Sequence, residues 1–93
     1  MKIEITDKAK AQLDNLYEQS KKEKALRIYI ASYGWGGPSF GLALEEPRED
    51  QETIQIDDYN FVLDNGLSER YRKFRIDYGD NWLRRGFSVA PIN

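Results

Sequence analysis

The residue types that carry out most protein chemistry are missing from this chain. It has no cysteine and no histidine. Thiolate nucleophiles, disulfides and sulfur ligation of clusters are thereby excluded. So are the commonest general base and the commonest metal ligand. Hydroxyls, carboxylates and aromatic rings remain. Ser32, Ser39, Ser68 and Ser88 supply hydroxyls, but a serine nucleophile needs a base within hydrogen-bond reach. No local motif offers a lysine or carboxylate for that task, so the expectation is a protein that is not an enzyme. The paired acids Glu45-Glu46, Asp57-Asp58 and Asp77 with Asp80 could hold a hard cation through oxygen. None has the spacing of an EF-hand loop, and solvated turns are the plainer reading. For Asp77 the alternative is cross-strand pairing with Arg27, Arg75 or Arg84. Neither a metal nor a cofactor is expected.

The most distinctive local pattern is "YGWGGPSFG", Tyr33 to Gly41. Glycine-rich phosphate loops lead into the N-terminus of a helix. Here the next residues, "FGLALEE", alternate with a period of two, and the helix is missing. The glycines are better suited to a turn, where they accept positive φ without strain. Trp35 then has two readings. It either folds back over the edge of the core or stands out as a contact residue, since tryptophan is enriched at binding hot spots. The candidate binding surface is Tyr33, Gly34, Trp35, Gly36, Gly37 and Phe40, and its partner another protein, a small ligand or a second copy of the chain. "WLRRG" sets Arg84 and Arg85 beside Trp82, where a plain surface position is the default.

Elements must position this loop. "KIEI" alternates Ile3 and Ile5 with charges and reads as a strand. "TDKAKAQLDNLYEQSKKEK" reads as a helix, with Thr6 or Asp7 at its start and Lys21, Lys22 and Lys24 near its end. Ala9, Leu13, Leu16 and Tyr17 form one apolar stripe. In "LRIYIASY", Leu26, Ile28 and Ile30 point one way and Arg27, Tyr29, Ala31 and Tyr33 the other. With Phe40, Leu42 and Leu44 alternating after the glycines, an antiparallel hairpin follows, its connection longer than two residues. "TIQI" and "NFVLD" flank a turn at Asp57-Asp58. Asn65-Gly66 marks another turn, followed by one or two helical turns suggested by the spacing of Leu67, Arg70, Tyr71 and Phe74. "FRIDY" directs Phe74, Ile76 and Tyr78 inward, "GDN" turns, and "GFSVAPIN" is a last strand stopped by Pro91. One long helix followed by several short strands indicates an α+β, mostly-β domain rather than a parallel βαβ array.

Ninety-three residues make one domain, spanning 1–93, that buries roughly 60–65% of its unfolded surface. A net charge of −2 with interspersed signs gives no case for nucleic acid. The apolar runs are too short for a membrane helix, and "MKIEITDKAK" does not resemble a signal peptide. A cytoplasmic location is expected.

Taken in order, "ITDKA", the glycine hairpin ending in "EEP", "FVLDNGL", "RIDY" and "GFSVAPIN" resemble the HesB/IscA-like family of A-type iron–sulfur carrier and biogenesis proteins. The resemblance runs over essentially the whole chain. It implies a small mostly-β, sandwich-like domain of short antiparallel and mixed strands with one N-terminal helix and a short second helix. It also implies three cysteine ligands, one in a glycine-flanked S-G-C-S-G position and two in a C-G-C tail. "YGWGG" matches the first position and places Trp35 where the thiolate would be. The sequence ends at Asn93 without the tail. Indole nitrogen only donates hydrogen bonds, whereas clusters are held by thiolates and occasionally imidazoles. The expectation is a family member without its cluster ligands, acting as a binding or regulatory module.

Overall fold

The computed structural model describes residues 1–20, 24–47, 51, 53–64, 66–82 and 84–92. Lys21, Lys22 and Asn65, singled out above, lie outside the described residues. The chain runs β1 (Lys2–Ile5), α1 (Asp7–Ser20), β2 (Ala25–Gly34), β3 (Gly37–Glu45), β4 (Thr53–Ile56) and β5 (Tyr59–Leu63). It continues with α2 (Leu67–Arg70), β6 (Lys73–Asn81) and β7 (Arg84–Pro91). The α+β, mostly-β class read from the alternation is the class observed.

All seven strands belong to one mixed sheet in the order β1-β6-β7-β3-β2-β5-β4. The pairs β1–β6 and β2–β5 are parallel; the other neighbours are antiparallel. Residues from opposite ends of this order, Ile3 and Phe74 on one side and Tyr59 and Phe61 on the other, share a single cluster. The sandwich-like core is thus one continuous sheet curling over itself, nearly closed. Phe61, Phe74, Leu26, Ile28 and Ile76 have no exposed surface.

Helix α1 lies against this core through its stripe. Ala9 and Leu13 are fully buried and Tyr17 nearly so. Thr6 sets its start: its Oγ1 accepts from the Ala9 amide at 3.2 Å and donates to Asp77 Oδ1 at 2.8 Å. One hydroxyl therefore caps the helix and ties it to β6. The same Asp77 oxygen accepts from the Tyr78 amide at 2.8 Å. Arg27 is engaged elsewhere, with Glu45 at 3.4 Å and Asp64 at 3.5 Å, and Arg75 with Glu4 at 3.2 Å.

Two local expectations are corrected. "GDN" is not a turn: Gly79, Asp80 and Asn81 continue β6, paired with Gly86, Arg85 and Arg84. The reversal comes later, at Trp82, and Gly86, with φ of 101°, lies inside β7 opposite Gly79. Strict alternation also fails along β2. Ile30 pairs with Phe40 but Ser32 with Ser39, leaving Ala31 as an extra residue. A bulge of this kind reverses which face the following side chains take. Tyr33 is opposite Pro38, on the Phe40 side of the ribbon, not on the side of Arg27 and Tyr29.

Candidate functional site

The β2–β3 hairpin outruns the sheet. The pairs of β2 with β5 end at Ile28 and Leu63, and the register of β3 with β7 is the single pair Phe40–Val89. Beyond Ile30 and Phe40 the two strands pair only with each other among the described residues, so residues 31–39 form a projecting ribbon. Trp35 and Gly36 make the turn, and Gly37, with φ of 101°, closes it in the left-handed region. Because pairing runs to Gly34 and Gly37, the connection is the two residues Trp35 and Gly36, shorter than the one expected from the sequence. Gly34 and Gly36 have no positive φ, so the steric need for glycine falls on Gly37 alone.

Trp35 at the tip is completely exposed, with a relative accessibility of 108%, and Tyr33 stands at 72%. The reading in which the indole covers the core edge is overturned. The bulge and the extended ribbon carry Trp35 past every core element. Of the six candidate residues, Tyr33, Gly34 and Trp35 share one shallow, open surface. Phe40 does not join them. It is half-buried at the root of the ribbon, edge-on to Tyr71 at 5.3 Å and to Phe74 at 5.1 Å. Gly41 has a separate task, because a Cβ there would lie 2.6 Å from the ring of Tyr29, its cross-strand partner. The ring lies over the glycine and carries the Arg27 guanidinium 4.9 Å above its centre. Trp82, on the second hairpin, is 82% exposed, in keeping with the surface position read for "WLRRG". Its place beside "GDN" gave no sign that it would be the tip.

A second feature lies between α1 and the β4–β5 turn. A cleft of about 500 Å³ is lined by Asp14, Tyr17, Glu18, Asp58, Tyr59 and Asn60. Tyr59 is buried and donates to Asp14 Oδ1 at 2.5 Å; Tyr17 donates to the Asn60 carbonyl at 3.4 Å and accepts its amide at 3.2 Å. Among the described residues no three acidic side chains converge as a metal site. Burial pushes both phenols above their ordinary value of 10, and for Tyr59 the hydrogen bond to Asp14 and the charges of Asp14, Asp57 and Asp58 push it further. A raised folded pKa means the stabilisation is complete below pH 10 and is lost as pH rises through the folded values. Stability should therefore fall progressively above pH 10. Tyr59→Phe should lessen that alkaline loss, read by denaturant titration at matched pH.

No family model matches the sequence. The iron–sulfur cluster insertion protein ErpA of Wigglesworthia glossinidia brevipalpis is 29% identical over 93 residues, covering 98% of this chain and 82% of its own. A crystal structure of IscA with the [2Fe-2S] cluster superposes with a TM-score of 0.70 at 24% identity, covering 98% of this chain and 83% of IscA. The chain is similar to HesB/IscA-like proteins in sequence and in fold. Escherichia coli SufA, described as involved in biosynthesis of iron–sulfur clusters, shares the fold with a TM-score of 0.73 at 15% identity over 97% of this chain and 80% of SufA. The chain itself has no cysteine. Among the described residues no helix is long and apolar enough to cross a membrane.

Proposed function

We propose that this HesB/IscA-like protein is a non-catalytic binding or regulatory module related to iron–sulfur biogenesis, working in the cytoplasm without holding a cluster itself. Its working surface is the tip of the β2–β3 ribbon. The observation that carries this reading is the fully exposed indole of Trp35, which stands where the family resemblance would put a thiolate. An apolar ring held in water by a ribbon without lateral support has no packing purpose within the chain. Tryptophan in such a place is the side chain most often found anchoring an interface. No sulfhydryl or imidazole elsewhere in the sequence could replace the lost ligand. A small ligand fits the tip less well, because the Tyr33–Gly34–Trp35 surface is shallow and open, whereas ligand sites enclose most of their occupant.

Anaerobic incubation with ferrous iron and sulfide, followed by desalting, tests the reading. The protein should elute colourless, with no retained inorganic sulfide. A stable visible chromophore at stoichiometric iron would overturn it.

A further inference from the structure

The cations of this chain are unevenly placed. Residues 1–5 and 67–75, which carry β1, α2 and the start of β6, hold Lys2, Arg70, Arg72, Lys73 and Arg75 against Glu4 and Glu69. Five of the fourteen basic residues thus fall in two short segments with two of the sixteen acids, and the rest of the chain is net acidic. The sheet brings these segments together, because β1 pairs with β6 and sets Lys2 directly beside Lys73. Like charges on adjacent strands repel, and an anion between them relieves the repulsion. Glu4 does this in part, meeting Lys73 Nζ at 3.0 Å and Arg75 Nη2 at 3.2 Å. Lys2 and Arg72 are exposed, and among the described residues the ion pairs involve neither.

These cations border a cleft. It measures about 660 Å³, with Met1, Tyr71 and Ile92 as apolar walls and Lys2, Arg72 and Lys73 also lining it. One wall is fixed in place, since the Tyr71 ring packs on Phe40 at 5.3 Å and on Phe74 at 5.4 Å. Apolar walls with a few convergent polar groups, at this volume, are the usual makeup of a binding site.

An occupant must satisfy two demands. It must bury an apolar group against the walls, and it must bring more than one negative charge. A bare anion leaves the walls wet, and a fatty acid brings one charge to three cations. A nucleic acid strand would carry its further phosphates onto a chain that is otherwise net acidic. We infer that the cleft receives a segment of a partner protein in which one large apolar side chain is flanked by carboxylates. The apolar side chain packs against Met1, Tyr71 and Ile92, and the carboxylates meet Lys2, Lys73 and Arg72, the last able to bind one through both arms of its guanidinium. The site is separate from the ribbon tip, because neither Tyr33 nor Trp35 lines it.

Fluorescence polarisation with a labelled peptide of sequence Asp-Glu-Phe-Glu-Asp tests this. Wild type should bind it in the micromolar range, and more weakly as salt is added. Replacing the probe's phenylalanine by alanine, or its acids by the corresponding amides, should each weaken binding about tenfold or more. Lys2→Glu and Arg72→Glu alter exposed side chains, so the fold should survive, and each should weaken binding about tenfold. Lys24→Glu changes the net charge equally but lies outside the cleft, and should bind as wild type does. Trp35→Ala should also bind normally. The inference is overturned if wild type does not bind, if the alanine probe or an oligodeoxythymidylate of equal charge binds as tightly, or if Lys24→Glu loses as much as Arg72→Glu. Such a result leaves the reading of the ribbon tip and the iron and sulfide test standing, since neither involves the cleft.

Discussion

Phe74→Ala is expected to remove about 3–5 kcal/mol of stability, as deletion of a buried phenylalanine ring generally does. The whole domain of ninety-three residues should be stable by about 5–14 kcal/mol, so the variant is left close to unfolding. Phe74 has no exposed surface. Its ring meets Phe40 at 5.1 Å and Tyr71 at 5.4 Å, and its backbone is paired to Ile3 on one side and Pro91 on the other. Losing the ring therefore opens a cavity where β1, β6, β7 and the root of the ribbon converge. Neighbours held by strand pairing on both sides cannot collapse into it, which favours the upper part of the range. Denaturant titration should show a lower midpoint with an unchanged slope. Tm should drop by about 4–8 °C for each kcal/mol lost. A loss below about 1 kcal/mol would mean that the aromatic cluster does not hold the two halves of the sheet together.

Leu13→Ala is expected to cost about 2–5 kcal/mol, and its consequences should be distributed differently. Leu13 is fully buried at the centre of the α1 stripe. A helix of fourteen residues is marginal alone, so its order depends on packing. Weakening that packing should release α1 before the sheet. Hydrogen exchange should show lost protection in residues 7–20 exceeding the loss in β2 and β6. The Thr6 link to Asp77 should limit fraying at the N-terminal end, leaving the C-terminal half of α1 the more affected. Uniform loss of protection across helix and sheet would instead make α1 part of the same cooperative unit.

The parts of the fold legible in the sequence were those with a short-range period. The α1 stripe of Ala9, Leu13, Leu16 and Tyr17 and the inward sets of β2, β3 and β6 could be read because burial on one face fixes residue type at fixed spacing. What alternation cannot show is an interruption of itself. Ala31 is an ordinary residue for a strand, and nothing in its type marks it as extra. Gly79-Asp80-Asn81 has turn composition, yet pairing with Arg84, Arg85 and Gly86 overrides that local preference. The parallel pairing of β1 with β6 joins residues about seventy positions apart and leaves no local trace. The candidate site was legible to the same limit. The glycine turn and its tryptophan were visible, but an indole suits a core and an interface equally well. Its exposure follows from where the lateral pairing of β2 and β3 stops. A surface cleft walled by Met1, Tyr71 and Ile92 joins three distant segments and could not have been read at all.

The additional residue at Ala31 has a wider bearing on how this surface arose. Because the strands resume pairing one residue out of step beyond it, a chain shorter by that one alanine would keep Tyr33 opposite Pro38 on the same flank and lose only the local bend and twist that the bulge adds. The insertion thus sets how sharply the outer ribbon bends away from the sheet, while the flank its aromatic residues occupy is set by their partners on β3.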